Sequence, residues 1–296
     1  MQPRLKGIAI AILGGDAREL ILAEHLGAIG ALVKVVGLPA QDCQGVDICE
    51  GLSEGLEGVR AVILPVPGIN DRGELHAVFN QSPLVLTEEL LSCLPHKTPV
   101  LVGVARKALR EMVEKNDLRL IEIMKLDEVA ILNSIPSAEG AIQMAMENSV
   151  ITIHGSRSAV LGFGRTGITL AHKLSALGSC TTVFARNPAQ RAKAVAMGLL
   201  ARDCSRLAEE AKDADFLFNT VPQMILDEET LQKISPLTLI IDLASSPGGT
   251  DFKAAERLGI KAILAPGLPG KVAPRTAGKI LAEVVPRILE EELALL

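Results

Sequence analysis

The chain has 296 residues, 48 % apolar and 22 % charged, which suits two domains with real cores and argues against a disordered polymer. Thirty Lys and Arg against thirty-five Asp and Glu give a formal charge of −5 with no basic stripe, and Trp and Tyr are absent, so neither phosphate neutralisation nor base stacking supports a nucleic-acid partner. No apolar run approaches the roughly 18 residues that span a bilayer, and the short run at 8–13 leads directly into Gly14-Gly15-Asp16 rather than a signal-peptide cleavage site.

Strand and helix signals then alternate along the chain. A β-rich run at 8–13 is followed by the Gly-Gly turn and a helix over 16–26. Further short runs fall at 31–36, 61–66, 100–104 and 118–123, with a helical pattern over 106–116. Pro136 marks an expected break, after which a linking helix over 137–148 begins. The second half repeats the plan at 159–161, 181–184, 216–221, 238–243 and 262–264, and a long helix is expected over 274–292. Runs this short, apolar on both faces and separated by helices, predict parallel sheets covered on both sides. The expected fold is therefore α/β, with two doubly wound parallel-sheet domains joined by long helices. The first is a flavodoxin-like substrate domain over 1–136, completed by the returning helix in 274–296; the second, over 137–273, is a Rossmann dinucleotide-binding insertion. Five cysteines at 43, 49, 93, 180 and 204, without a Cys-x-x-Cys, read as a reduced, cytoplasmic chain without a metal site.

The strongest chemical signal is Gly162-Phe163-Gly164-Arg165-Thr166-Gly167, between a strand and a helix that ends near Gly178. In such a G-x-G-x-x-G turn the first glycine permits the turn, the second lets a pyrophosphate approach and the third lets helix and strand pack. The helix N-terminus offers unpaired N–H groups to the phosphates. An NAD site usually carries a carboxylate at the end of the next strand, to hold the ribose 2′-hydroxyl. Here that position reads Arg186-Asn187, so NADP is favoured, Arg186 pairing with a 2′-phosphate; a solvated surface arginine is the competing reading. Two later strand ends, Asn219-Thr220-Val221-Pro222 and the loop from Asp242 through Leu243, Ala244 and Ser245 to Asp251, are expected as walls of the nicotinamide pocket.

With these features in place, the chain resembles the dipicolinate synthase A-subunit family. The matching segments are Gly14-Gly15-Asp16-Ala17-Arg18, the run from Asn133 to Gly140, Thr152 to Ser156, Val160 to Gly167, Asp242 to Phe252, Ala265 to Gly270 and Val272 to Gly278. Two positions depart from the family pattern: Ser246 stands where Arg is frequent, and Arg275 where Lys is frequent, the second keeping the charge. The resemblance implies an NADP-dependent oxidation of dihydrodipicolinate to dipicolinate in the mother cell of a sporulating bacterium, shared with the flavoprotein-like B-subunit of dipicolinate synthase. The sequence also allows a homo-oligomer.

A ring dicarboxylate needs cations or N–H donors. Arg18, after a Gly-Gly turn at a helix start, suits an anion, with an ordinary helix-surface cation as the competing reading. Asn133 and Ser134 are expected in extended backbone at an interdomain hinge, with Arg275 and Thr276 beside it at the start of the returning helix. Glu139 is expected in the first turn of the linking helix, where Ser-x-x-Glu patterns usually only cap. No general base stands out; His154 and Glu139 are the weak catalytic candidates, and the other four histidines have no partner at recognisable spacing. Two other functions stay open. One is a two-domain dehydrogenase of a hydroxy or amino acid, against which residues 266–274 lack the expected catalytic His. The other is a non-catalytic nucleotide-binding subunit.

Overall fold

A computed structural model describes residues 5–294 apart from Asp42 and Ser246. The first elements are β1 (Ala9–Leu13), α1 (Ala17–Ala28), β2 (Leu32–Val36), β3 (Val46–Ile48), α2 (Leu52–Leu56), β4 (Ala61–Ile63), α3 (Glu88–Ser92), β5 (Pro99–Val102), α4 (Lys107–Lys115) and β6 (Arg119–Glu122). The helix α5 (Asp127–Asn148) follows. Then come β7 (Arg157–Leu161), α6 (Arg165–Ala176), β8 (Cys180–Phe184), α7 (Pro188–Ala196), β9 (Leu200–Arg202), α8 (Leu207–Glu210), β10 (Phe216–Asn219), α9 (Glu228–Leu231), β11 (Leu239–Asp242), α10 (Phe252–Arg257), β12 (Ala262–Leu264), α11 (Leu268–Val272) and α12 (Pro274–Leu293).

Two compact units result: residues 1–130 with 274–296, and residues 131–273. Each contains one six-stranded, all-parallel sheet, ordered β3-β2-β1-β4-β5-β6 in the first and β9-β8-β7-β10-β11-β12 in the second. Counted within each sheet, both orders are 3-2-1-4-5-6, the doubly wound Rossmann arrangement. The first unit is therefore not flavodoxin-like, since that fold orders its strands 2-1-3-4-5. Two edge strands unread in the sequence, β3 and β9, extend each sheet by a short, partly exposed ribbon.

The cores explain the apolar runs. Ile10, Ala11, Ile12 and Leu13 of β1 are all fully buried, as are Phe216, Leu217 and Phe218 of β10, because helices cover both faces of each sheet. In the first unit, α12 lies along α1 closely enough that a Cβ at Gly278 would come 2.8 Å from Ile21 Cδ1.

One expectation fails at Pro136. The helix does not begin there; Pro136 lies inside the continuous α5. Proline removes the N–H that the carbonyl of Leu132 would otherwise receive. On either side, Ser134 Oγ donates to the Ile131 carbonyl (2.6 Å) and Ser137 Oγ to the Asn133 carbonyl (2.8 Å). The buried Ala138, Ala141, Ile142 and Ala145 anchor the rest of the helix in the second core. Tertiary packing thus outweighs the local cost of the proline.

Candidate functional site

In the second unit the strand order reverses between β7 and β10, and parallel sheets bind ligands at the carboxyl ends of the strands beside such a reversal. A cleft of about 510 Å³ opens there. Gly162 to Thr166 follow β7, Arg186 and Asn187 follow β8, Thr220 to Pro222 follow β10, and Leu243 to Ser245 follow β11; all line the cleft.

The three glycines do different things. Gly162 has φ +89°, and a Cβ on it would come 2.7 Å from Thr220 Oγ1. Gly167 is buried against the turn, where a Cβ would sit 2.2 Å from the Gly162 carbonyl oxygen. Gly164 is the N-cap of α6 with ordinary extended backbone, and a Cβ there would meet nothing within 4 Å. Space is therefore kept at Gly164 by nothing in the protein itself. No side chain caps α6, so its first N–H groups face that space, a donor set matching a dinucleotide pyrophosphate.

The opposite wall is organised by a residue that sequence reasoning treated only as part of a loop. Asp242, fully buried, accepts four hydrogen bonds: from Asn219 Nδ2 (2.9 Å), Ala244 N (3.0 Å), Gly249 N (2.8 Å) and Thr250 Oγ1 (2.7 Å). Asn219, also fully buried, donates to the Val221 carbonyl (3.1 Å) and accepts from Val221 N (3.0 Å). These two side chains face inward and shape both loops, so Asn219 shapes the cleft wall without lining it. Ser246, in the Asp242 loop, lies outside the described residues. Thr220 Oγ1 donates to the Leu161 carbonyl (2.7 Å), fastening the turn after β10 to β7.

At the rim, Arg186 Nη2 donates to Gln223 Oε1 (2.9 Å), and the side chain is exposed. Beside it, Cys204 lies half-buried in the cleft wall; burial, then the charge of Asp203, push its thiol up, against the pull of Arg186 and Arg191.

The catalytic candidates lie elsewhere. His154 precedes β7, at the opposite end of that strand from Gly162, and packs over Gly178, whose Cβ would come 2.2 Å from His154 Nδ1. Glu139 is not in a first turn but about three turns into α5, where it pairs with Lys173 of α6 (2.9 Å). Neither lines the cleft.

The substrate candidates do not line the cleft either. Asn133 and Ser134 are helical, not extended, because α5 continues through Pro136. Ser134 is buried and hydrogen-bonded to Ile131 and to Thr169 Oγ1. Arg275 and Thr276 are exposed in the first turn of α12. Arg18 is only 7 % exposed and is already held by a carboxylate: Nε and Nη2 donate to Asp16 Oδ1 (2.9 Å) and Oδ2 (2.8 Å).

The start of α1 is likewise closed. Asp16 accepts from Arg18 N (2.9 Å) as N-cap, and Glu19 Oε2 accepts from Asp16 N (2.9 Å). Burial opposes the ionisation of Asp16, but its Arg18 partner outweighs this and holds the carboxyl below its ordinary value. Glu19, 1 % exposed, is pushed up by burial and by the Asp16 charge, against Arg18 and two backbone N–H donors, one of them Val66 N at 3.0 Å. Two acids thus occupy the place that α6 leaves open. Among the described residues no group of three or more His, Cys, Asp or Glu could hold a metal, and no helix is long and apolar enough to cross a membrane.

Comparison with known proteins adds to this geometry. Residues 9–124 match the model of the N-terminal domain of the dipicolinate synthase A-subunit, and residues 135–247 that of the D-isomer specific 2-hydroxyacid dehydrogenase NAD-binding domain. The chain is 42 % identical over 289 residues to the dipicolinate synthase A-subunit of Bacillus subtilis (strain 168), covering 97 % of each chain. The crystal structure of the Bacillus subtilis dipicolinate synthase A chain superposes with a TM-score of 0.93 at 41 % identity over 100 % of both chains. The crystal structure of the dipicolinate synthase A-subunit from Bacillus halodurans gives 0.91 at 40 % identity, over 96 % of this chain and 98 % of the other.

Proposed function

Since the chain belongs to the dipicolinate synthase A-subunit family, we propose that it is the NADP-binding subunit of an enzyme oxidising dihydrodipicolinate to dipicolinate, working with a flavoprotein-like second subunit in the mother cell of a sporulating bacterium. The chain is of dehydrogenase type, with a nicotinamide-dinucleotide-binding domain over residues 135–247.

The observation that carries the reading is the open cradle at Gly164, bounded by Gly162, Gly167 and the uncapped start of α6. Phe163, Arg165 and Thr166 continue that cradle, and Asn187 stands beside Arg186 at the rim. Among the described residues no carboxylate lines the rim after β8, and Arg186 offers a planar fork suited to a 2′-phosphate, which supports NADP over NAD. Bound in the cleft, NADP supplies a two-electron acceptor. The protein's part is placement: the Asp242–Asn219 pair holds the wall formed by 220–222 and 243–245, and the glycine turn sets the depth of the pyrophosphate. Aromatisation of the ring supplies much of the driving force, so positioning accounts for a large part of the work.

One observation favours a second reading, in which this chain binds nucleotide and its partner performs the chemistry: neither His154 nor Glu139 lies in the cleft. The test is turnover of dihydrodipicolinate with NADP by the purified chain, by a purified second subunit and by their mixture. The proposal expects a mixture much faster than either chain, and loss of that rate in Gly164→Val. A mixture still at full rate with Gly164→Val would assign the chemistry to the partner. Full activity of this chain alone would reject the heteromer.

A further inference from the structure

The first unit has its own reversal of strand order, between β1 and β4, at the carboxyl edge where α/β sheets bind ligands. A cavity of about 320 Å³ lies in that unit, walled by 67–70 and 74–78 from the connection after β4 and by Arg106 from the connection after β5. It is not a second dinucleotide cradle. The α1 N-terminus is capped by Asp16 and Glu19, whose charges would repel a phosphate.

The polar side chains of the wall are few. Asn70 is spent locally, donating to Glu74 Oε2 (2.7 Å) and accepting from Arg72 N and Glu74 N. Glu74, the lone acid among the lining residues, is thereby tied back. His76 is held through its backbone, and its ring lies near Asp16. Its carbonyl accepts from Gly15 N (2.7 Å), and its Nε2 lies 3.7 Å from Asp16 Oδ2, the carboxylate that Arg18 grips. Gly14, at φ +70°, leaves room for that backbone contact: a Cβ on it would come 2.9 Å from the His76 oxygen. Arg106, the N-cap of α4, has an exposed guanidinium with no hydrogen-bond or carboxylate partner among the described residues, whereas the next arginine along, Arg110, is paired with Glu122. An unpaired planar cation and an imidazole lining one hollow, between the connections that follow β4 and β5, form a carboxylate-binding arrangement.

We propose that this cavity binds a small dicarboxylate, with Arg106 as the forked partner of one carboxylate and His76, steadied by Asp16, as a donor to the ligand. This rests on the reading of the substrate as a ring dicarboxylate and moves its recognition from Arg18 to Arg106 and His76. Arg18 becomes a positioning residue that acts through Asp16.

The test is calorimetric titration of the full chain, at saturating NADP, with dipicolinate and separately with glutarate. The variants are Arg106→Ala, His76→Ala and, as a control for general charge, Lys107→Ala, a neighbouring surface cation paired with Glu111. Losing a charge-assisted pair weakens dipicolinate by about tenfold or more in Arg106→Ala, and His76→Ala also weakens it. Lys107→Ala binds as wild type, and NADPH affinity is unchanged in all three. Unaltered dipicolinate binding in both Arg106→Ala and His76→Ala, or an equal loss in Lys107→Ala, would overturn the site. Arg106-dependent binding of glutarate without any binding of dipicolinate would keep the site and overturn the substrate. Failure to bind either ligand would remove the site altogether.

Discussion

Gly164→Val separates binding from folding. The backbone at Gly164 has φ −86°, a region open to any L-residue, and a Cβ there meets no protein atom within 4 Å. Strain is therefore absent, and the stability change stays within about 1 kcal/mol, the usual range for a change of N-cap residue. The added side chain instead fills the space in front of the first N–H groups of α6. Two hydrogen bonds to a charged phosphate, at about 1.5–3 kcal/mol each, are forfeited, which raises Kd by about 100-fold or more. Gly167→Ala is the mirror image: its Cβ would sit 2.2 Å from the Gly162 carbonyl oxygen, so backbone must move, at a cost of about 1–3 kcal/mol. The assay is NADPH fluorescence beside thermal unfolding; with no Trp or Tyr in the chain, the nucleotide signal has little protein background. A Gly164→Val protein with wild-type NADPH affinity would refute the cradle, and a Gly167→Ala protein melting like wild type would refute the packing role given to the third glycine.

Arg186→Ala is expected to weaken NADP by about 1–3 kcal/mol while leaving NAD nearly unchanged, read in paired titrations; equal losses would reduce Arg186 to a surface cation. Asp242→Asn places an amide nitrogen against two of the four donors that now meet carboxylate oxygens, so the melting temperature falls by the equivalent of about 2–5 kcal/mol and NADP affinity falls with it. For Asp16 the folded carboxyl titrates below its ordinary 3.8, so its contribution is present above that value and is lost as pH falls through the folded one. The stability gap between wild type and Asp16→Asn, measured by urea unfolding, is accordingly constant near neutrality and narrows only in acid; a gap that widened in acid would reverse the sign assigned here.

Much of the candidate cleft was legible in the sequence because what a dinucleotide turn requires is local. A tight turn, a close phosphate and a close helix each demand a glycine at a fixed offset, and a parallel sheet puts the following loops at one edge. What escaped the sequence was decided by groups distant in the chain or by side-chain direction. Pro136 reads as a stop, yet neighbouring serines and a buried alanine face carry α5 through it. Arg18 reads as an anion site, but a carboxylate two residues away turns back to occupy it. His76 and Arg106 are thirty residues apart and become neighbours only when β4 and β5 pair. Strands β3 and β9 are three residues long, with little apolar pattern to announce them.

The first unit is closed by a segment made far later than the rest of it: residues 1–130 wait for 274–296, while 131–273 form an uninterrupted stretch. On an emerging polypeptide the nucleotide unit has all its strands before the first unit has its last helix. Until α12 is released, the face of α1 around Ile21 lacks the cover that α12 gives it. Synthesis therefore passes through a species with one mature half and one half whose apolar surface is bare, the form on which chaperones and proteases act most readily.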